Sequence, residues 1–262
     1  MKKQNVQNSS FRQIYTTILV FVLALVAIAS VTAAWFSIAN RTRVHSMSLD
    51  VTAGPALRFD LDEHDAFEDY LKTLSFDQIA ERVQRELGYD MHTAEMKPVT
   101  TEDGAVFTLR NGTVEPNTSG AYWEYTLHFM GSRDMTVHLT SADSGSDVRD
   151  GTRITSDNAK LPPSMRISFT ADGQTVVFDP GMGDFSVISG KVRNFGLPSA
   201  GNMVYNNNSI LFNLSQYVDK TVVVRIWLEG TDEDCTDDIK QADFAIRLRF
   251  AGTDADGNSL EE

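Results

Sequence analysis

From Arg43 onward, apolar and polar residues alternate with a period of two in one segment after another. In "SMSLDVTAG", Met47, Leu49 and Val51 fall on one side, while Ser46, Ser48, Asp50 and Thr52 fall on the other. In "YWEYTLHFM", Trp123, Tyr125, Leu127 and Phe129 oppose Glu124, Thr126 and His128. The same alternation runs through "MTVHLTS", "MRISFTADG", "QTVVFD", "KTVVVRIWLEG" and "DFAIRLRF". Successive side chains of a strand point to opposite faces, so each segment reads as a strand with one greasy side. A half-apolar sheet must bury that side against something. The expected fold is therefore mainly β, a two-sheet antiparallel β-sandwich.

One hairpin is predicted within it. Placing Leu127 opposite Leu139 and Phe129 opposite Val137 keeps the apolar faces together and sets His128 across from His138. Two imidazoles on an exposed strand pair, joined by a carboxylate, would form a metal site, so His128 and His138 are the candidate metal pair. The alternation breaks at "EHDAFEDYLKTLSFDQIAERVQREL". There Phe67, Tyr70, Leu71 and Leu74, then Ile79, Val83 and Leu87, recur at helical spacing. Ser75 with Gln78 reads as a helix start and Gly88 as its stop. A helical insertion over residues 63–88 is expected, covering a sheet edge or one end of the sandwich.

Ahead of the strands, no charge occurs from Gln13 to Asn40, and Ile14 to Phe36 is almost wholly apolar. About 20 apolar residues suffice to cross a bilayer. Lys2, Lys3 and Arg12 precede the run, which argues for a cytoplasmic N-terminus and an exported body. Two readings of residues 1–33 stay open. Val31-Thr32-Ala33 supplies the small-x-small site of a signal peptide, with cleavage at Ala33 or Ala34, and the length of the run equally suits a retained membrane anchor. Either way residues 34–262 form a single domain at the cell surface or beyond it.

All 36 acids follow the oily run, so the body is more negative than the net −13 of the whole chain. Such a surface repels nucleic acid. The lone Cys235 leaves no intrachain disulfide and no multi-cysteine zinc site. No His-Glu-x-x-His, Gly-x-Ser-x-Gly or phosphate-cradling glycine loop occurs, and no catalytic residue is expected. In "EGTDEDCTDD", Asp232, Asp234, Asp237 and Asp238 crowd a turn between two strong strands. They are the candidate calcium ligands, against the simpler reading of a solvated hairpin tip. Apart from calcium no cofactor is expected. Tyr122, Trp123, Tyr125 and Trp227 are candidates for a sugar platform; Trp123 lies on an apolar side, which leaves Trp227 as the ring expected at the surface.

The junction of leader and body carries a resemblance. Ala34, Trp35, Phe36 and Ser37, followed by a strand ending in Thr52, Ala53 and Gly54, resemble the start of the TasA and camelysin family of Gram-positive surface proteins, exported through a dedicated signal peptidase. The closing "VVVRIWLEGTDEDCTDDI" and "FAIRLRF" look like the end of related exported proteins. The resemblance implies a jelly-roll sandwich, extracellular fibres or a biofilm matrix, and processing near the Ala-aromatic junction. A strand with no partner in its own domain can pair with a neighbour's sheet edge, and such a head-to-tail contact builds a filament. Residues 34–43 are expected to be that donor segment, with Trp35 and Phe36 as its anchors. The expected partners are further copies of the chain or other surface proteins, and the membrane through the leader. The alternative is a membrane-tethered carbohydrate-binding module.

Overall fold

The computed structural model describes residues 17–24, 43–51, 56–141, 151–181, 186–189, 192–198, 203–205, 209–240 and 242–260, with 43–51 and 186–189 described by main chain alone. The chain divides into residues 1–40 and Arg41–Glu262. In the first unit residues 17–24 are helical. No helix among the described residues is long and apolar enough to cross a membrane. The rest of the leader lies outside the described residues, as do Ala33, Ala34, Trp35 and Phe36.

The second unit is mainly β, as the alternation requires. Its first half holds β1 (Arg43–Val51), β2 (Leu57–Asp60), β3 (Thr73–Ser75), β4 (Pro98–Val99), β5 (Phe107–Thr108), β6 (Val114–Glu115), β7 (Trp123–Gly131) and β8 (Met135–Leu139). The second half holds β9 (Arg153–Ser156), β10 (Met165–Ala171), β11 (Gln174–Phe178), β12 (Ser186–Ser189), β13 (Val192–Phe195), β14 (Ile210–Leu214), β15 (Lys220–Glu229) and β16 (Asp243–Thr253). One sheet has the order β14-β8-β16-β1-β3, with β9 following β8 along the same edge of β16. The other has the order β12-β13-β11-β10-β15-β7-β2, with β4 following β7 along β15. Most pairings are antiparallel, but β1 runs parallel to β16, β13 to β11 and β4 to β15.

The two inner faces share one apolar core. Phe250 of β16 is fully buried, and its ring lies 5.8 Å from Phe59, 5.1 Å from Phe129 and 5.8 Å from Phe169, all on the opposite sheet. Trp123 stacks on Phe244 across the same interface at 5.8 Å. Each such ring pair adds about 0.5–1.5 kcal/mol beyond the area it buries. Burial alternates along β7 and β16 as their sequences alternate.

Two local expectations are corrected. β7 and β8 do not form a hairpin, since β7 pairs with β15 and β2 while β8 pairs with β16 and β14. The short turn between Gly131 and Met135 instead crosses from one sheet to the other. A hairpin and a crossing turn both keep two apolar faces in the core, so alternation does not distinguish them. The helical insertion is shorter than expected. Helix α1 (Phe76–Leu87) has the anticipated ends, a capping box between Ser75 and Gln78 and Gly88 in the left-handed region at φ 83°. Its buried stripe is Phe76, Ile79, Ala80 and Val83.

Residues 63–75 are not a continuous helix. They hold one 3-10 turn (Phe67–Asp69) and β3, which pairs with β1. Leu71 exchanges main-chain hydrogen bonds with Phe59 at 2.9 and 3.0 Å, and Phe67 and Tyr70 bury themselves with Met130 in a small separate core. The apolar residues of this stretch therefore serve an extended cover on the sheet edge.

Candidate functional site

That cover builds the most chemically loaded part of the surface. β2 lies antiparallel to β7 with Asp60 opposite His128, and on the other side of β7 Thr221 of β15 stands opposite His128. The alternation of β7 turns His128 to the outer face, away from the buried Leu127 and Phe129. After β2 the chain folds back over this face, held by Arg58. The Arg58 guanidinium sits 4.6 Å above the Phe67 ring and donates from Nη1 to the Glu68 carbonyl at 2.8 Å.

Folding back brings polar groups of three segments together. His128 Nδ1 lies 3.0 Å from Oδ2 of Asp219, the residue that precedes β15. Both side chains are largely covered, at 17% and 14% exposure. Tyr70 Oη donates to Asp219 Oδ1 at 2.8 Å and accepts from the His64 amide at 3.0 Å. Burial pushes the Tyr70 hydroxyl up to about 12, with the Asp219 carboxylate adding to the shift, so it keeps its proton. His64 Nε2 stands 3.1 Å from Asp60 Oδ2, and Asp60 Oδ1 accepts the Leu61 amide at 2.6 Å. One donor atom each of Glu63, His128 and Asp219 lies within 4.8 Å of the others, which puts an imidazole and two carboxylates within reach of one metal ion.

His128 thus belongs to a polar cluster, but not with the partner the sequence proposed. His138 sits in the other sheet, where Nδ1 is 2.9 Å from Ser209 Oγ and Nε2 is 3.1 Å from Thr253 Oγ1. It is 2% exposed, because residues 203–205 and the 254–257 turn cover the outer side of β8 and leave a hollow of about 320 Å³ beside it. Burial drives the imidazole down to about 4, with the nearby Arg193 guanidinium acting in the same direction.

The acidic turn does not gather its charges on a common point. Asp232 accepts from Arg166 at 2.5 Å, Asp237 pairs with Lys240 at 2.7 Å and Asp238 with Lys160 at 2.5 Å. The Asp234 amide donates to Asp232 Oδ1. Three of the four candidate calcium ligands are thus engaged by separate cations. The expected sugar platform fails in the same way. Trp227 is 2% exposed with its Nε1 donating to Glu229 at 3.0 Å, and Tyr122, Trp123 and Tyr125 are buried. Alternation put Trp227 outside, but it packs edge-on against Phe107, carried by the small β5–β6 ribbon.

The sequence does not single out Glu63 or Asp219, and it marks Tyr70 only as part of an apolar helical stripe. The available signal was the run "DLDEHD" directly after a strand, which is too acidic for a buried helix face. Comparison with protein-family models, curated proteins and solved structures gives no match.

Proposed function

We propose that this chain is a non-enzymatic structural or adhesive protein of the extracellular surface, a fibre or matrix subunit that assembles by donating its N-terminal segment. The reading rests first on the leader and the Ala-Trp-Phe-Ser junction, which resemble those of the TasA and camelysin family. The structural observation that carries it is the placement of β1. This strand starts only a few residues after the junction and is paired on both edges, along β16 from Arg43↔Asp243 to Val51↔Phe250 and along β3. A segment extending from its start is continuous with the long ladder to β16, which β3 flanks only further along, at Ser48–Asp50. Tension on that segment would shear a whole hydrogen-bonded ladder at once, as a load-bearing subunit needs. A receiving edge is also present: β14 ends its sheet, and no strand among the described residues pairs with its outer side. The carbohydrate-binding alternative loses the aromatic surface on which it depended.

Electron microscopy of protein processed at the Ala33–Ala34 junction is expected to show filaments. Removing residues 34–42, which leaves β1 whole, should abolish them while thermal unfolding stays cooperative. Filaments that persist without this segment would refute strand donation.

A further inference from the structure

We propose that Glu63, His128 and Asp219 bind a divalent transition-metal ion of the zinc class, which fastens the cover segment, residues 61–72, to the outer face of the eight-stranded sheet. The donors come from three separate places: Glu63 from the cover, His128 from the middle of β7, and Asp219 from the turn that enters β15. An ion joining them would close one tertiary contact that the chain otherwise makes through Tyr70 and Asp60.

The donor set selects the metal. One imidazole nitrogen with two carboxylate oxygens suits zinc and its neighbours, whereas calcium and magnesium favour sites built of oxygen alone. With metal–ligand bonds of about 2.0–2.2 Å, tetrahedral donors stand roughly 3.3–3.5 Å apart. The 3.0 Å between His128 and Asp219 is close to that spacing. Glu63 is exposed and nothing described pairs with its carboxylate, so its side chain is free to close the remaining distance.

The surroundings hold the ligands in place. Tyr70 takes Asp219 Oδ1 and leaves Oδ2 facing the imidazole, which is how a hydrogen-bonded neighbour orients a metal carboxylate. Competing cations are occupied elsewhere: Arg82 pairs with Asp62, Lys220 with Asp172, and Arg58 is turned to main-chain carbonyls. Two carboxylates and a neutral imidazole match the charge of a dication. Three protein ligands leave a fourth position for water.

The site is independent of the assembly reading, since the test reads the folded unit whether or not filaments form. Full-length chain in detergent micelles, stripped with EDTA, is titrated with zinc chloride and followed by calorimetry and thermal unfolding. One ion per chain is expected, with a rise in Tm of about 5–10 °C at a hundredfold excess over Kd. Glu63→Gln should weaken binding at least tenfold while the Tm of the metal-free protein stays where it was, because that side chain is exposed. His128→Gln should remove the zinc-dependent rise. No rise in the unaltered chain, a rise retained in both variants, or an equal response to calcium chloride would overturn the proposal.

Discussion

His128 and His138 occupy equivalent places in two strands separated by one turn, and their surroundings are opposite. His128 looks out from the eight-stranded sheet into a group of carboxylates drawn together by the cover segment. His138 looks out from the six-stranded sheet into a lid of chain that buries it between two hydroxyls. The strand pattern that positions the two is the same. The difference comes from what the loops lay over each sheet: in one case an acidic ribbon that adds carboxylates around the imidazole, in the other a cap that leaves it between the hydroxyls of Ser209 and Thr253 while its own Asp254 is bound by Asn258. A histidine's chemistry here is set by its cover more than by its strand.

The largest test of this contrast is truncation of the buried member. His138→Ala leaves a void and takes the imidazole from Thr253, and urea unfolding is expected to show a loss of about 3–4 kcal/mol. Acid should expose the same site. An unfolded histidine titrates near 6.5, whereas folded His138 is held at about 4. The unfolded chain therefore binds the proton first. Stability from this group is whole above about pH 6.5 and is lost as the pH falls toward 4, by an amount on the order of 3 kcal/mol. Urea midpoints at pH 7, 5 and 4 should fall less steeply in His138→Gln than in the unaltered chain. An identical slope would mean that the lid admits water and that the contrast is false.

The outward site should respond more mildly. Tyr70→Phe removes the hydroxyl that joins Asp219 to the His64 main chain, and a loss of about 1 kcal/mol in urea unfolding is expected. The same variant should bind zinc about tenfold more weakly, since groups that orient a ligand commonly contribute 10–100-fold in affinity. Smallest is His128→Gln in metal-free protein. Its carboxylate contact is partly solvated, so a change below about 1 kcal/mol is expected, read by thermal unfolding at neutral pH. A loss as large as that of His138→Ala would put the two sites on an equal footing and break the comparison.

How far the sequence carried the structure follows from the same contrast. Alternation located β7, β8, β10, β11, β15 and β16 and their inner faces, because that pattern is a direct record of which side chains meet the core. Ser75, Gln78 and Gly88 marked α1 at both ends, because caps act over one turn of chain. Pairing was not legible. A turn that joins two sheets and a turn that joins two neighbours have the same pattern on either side, so the sequence sets His128 against His138 although the two lie in different sheets. Outer faces are illegible for a related reason: Trp227 and His138 occupy polar-side positions, but distant loops bury both. Glu63 and Asp219 are far apart in the chain, and only the folding back of residues 61–72 makes them neighbours. Of the expected donor segment, residues 34–43, Arg43 already belongs to β1 and lies opposite Asp243 within its own sheet, while the rest, with Trp35 and Phe36, lies outside the described residues.

The parallel partnership of β1 and β16 carries a consequence for how the molecule comes into being. The first strand to emerge during synthesis finds its longest partner only when Asp243–Thr253 has been made. Contacts so distant along the chain form late and slowly. The six-stranded sheet therefore cannot close on β1 until Asp243–Thr253 has been made, and folding of this layer waits on a strand about 200 residues further along.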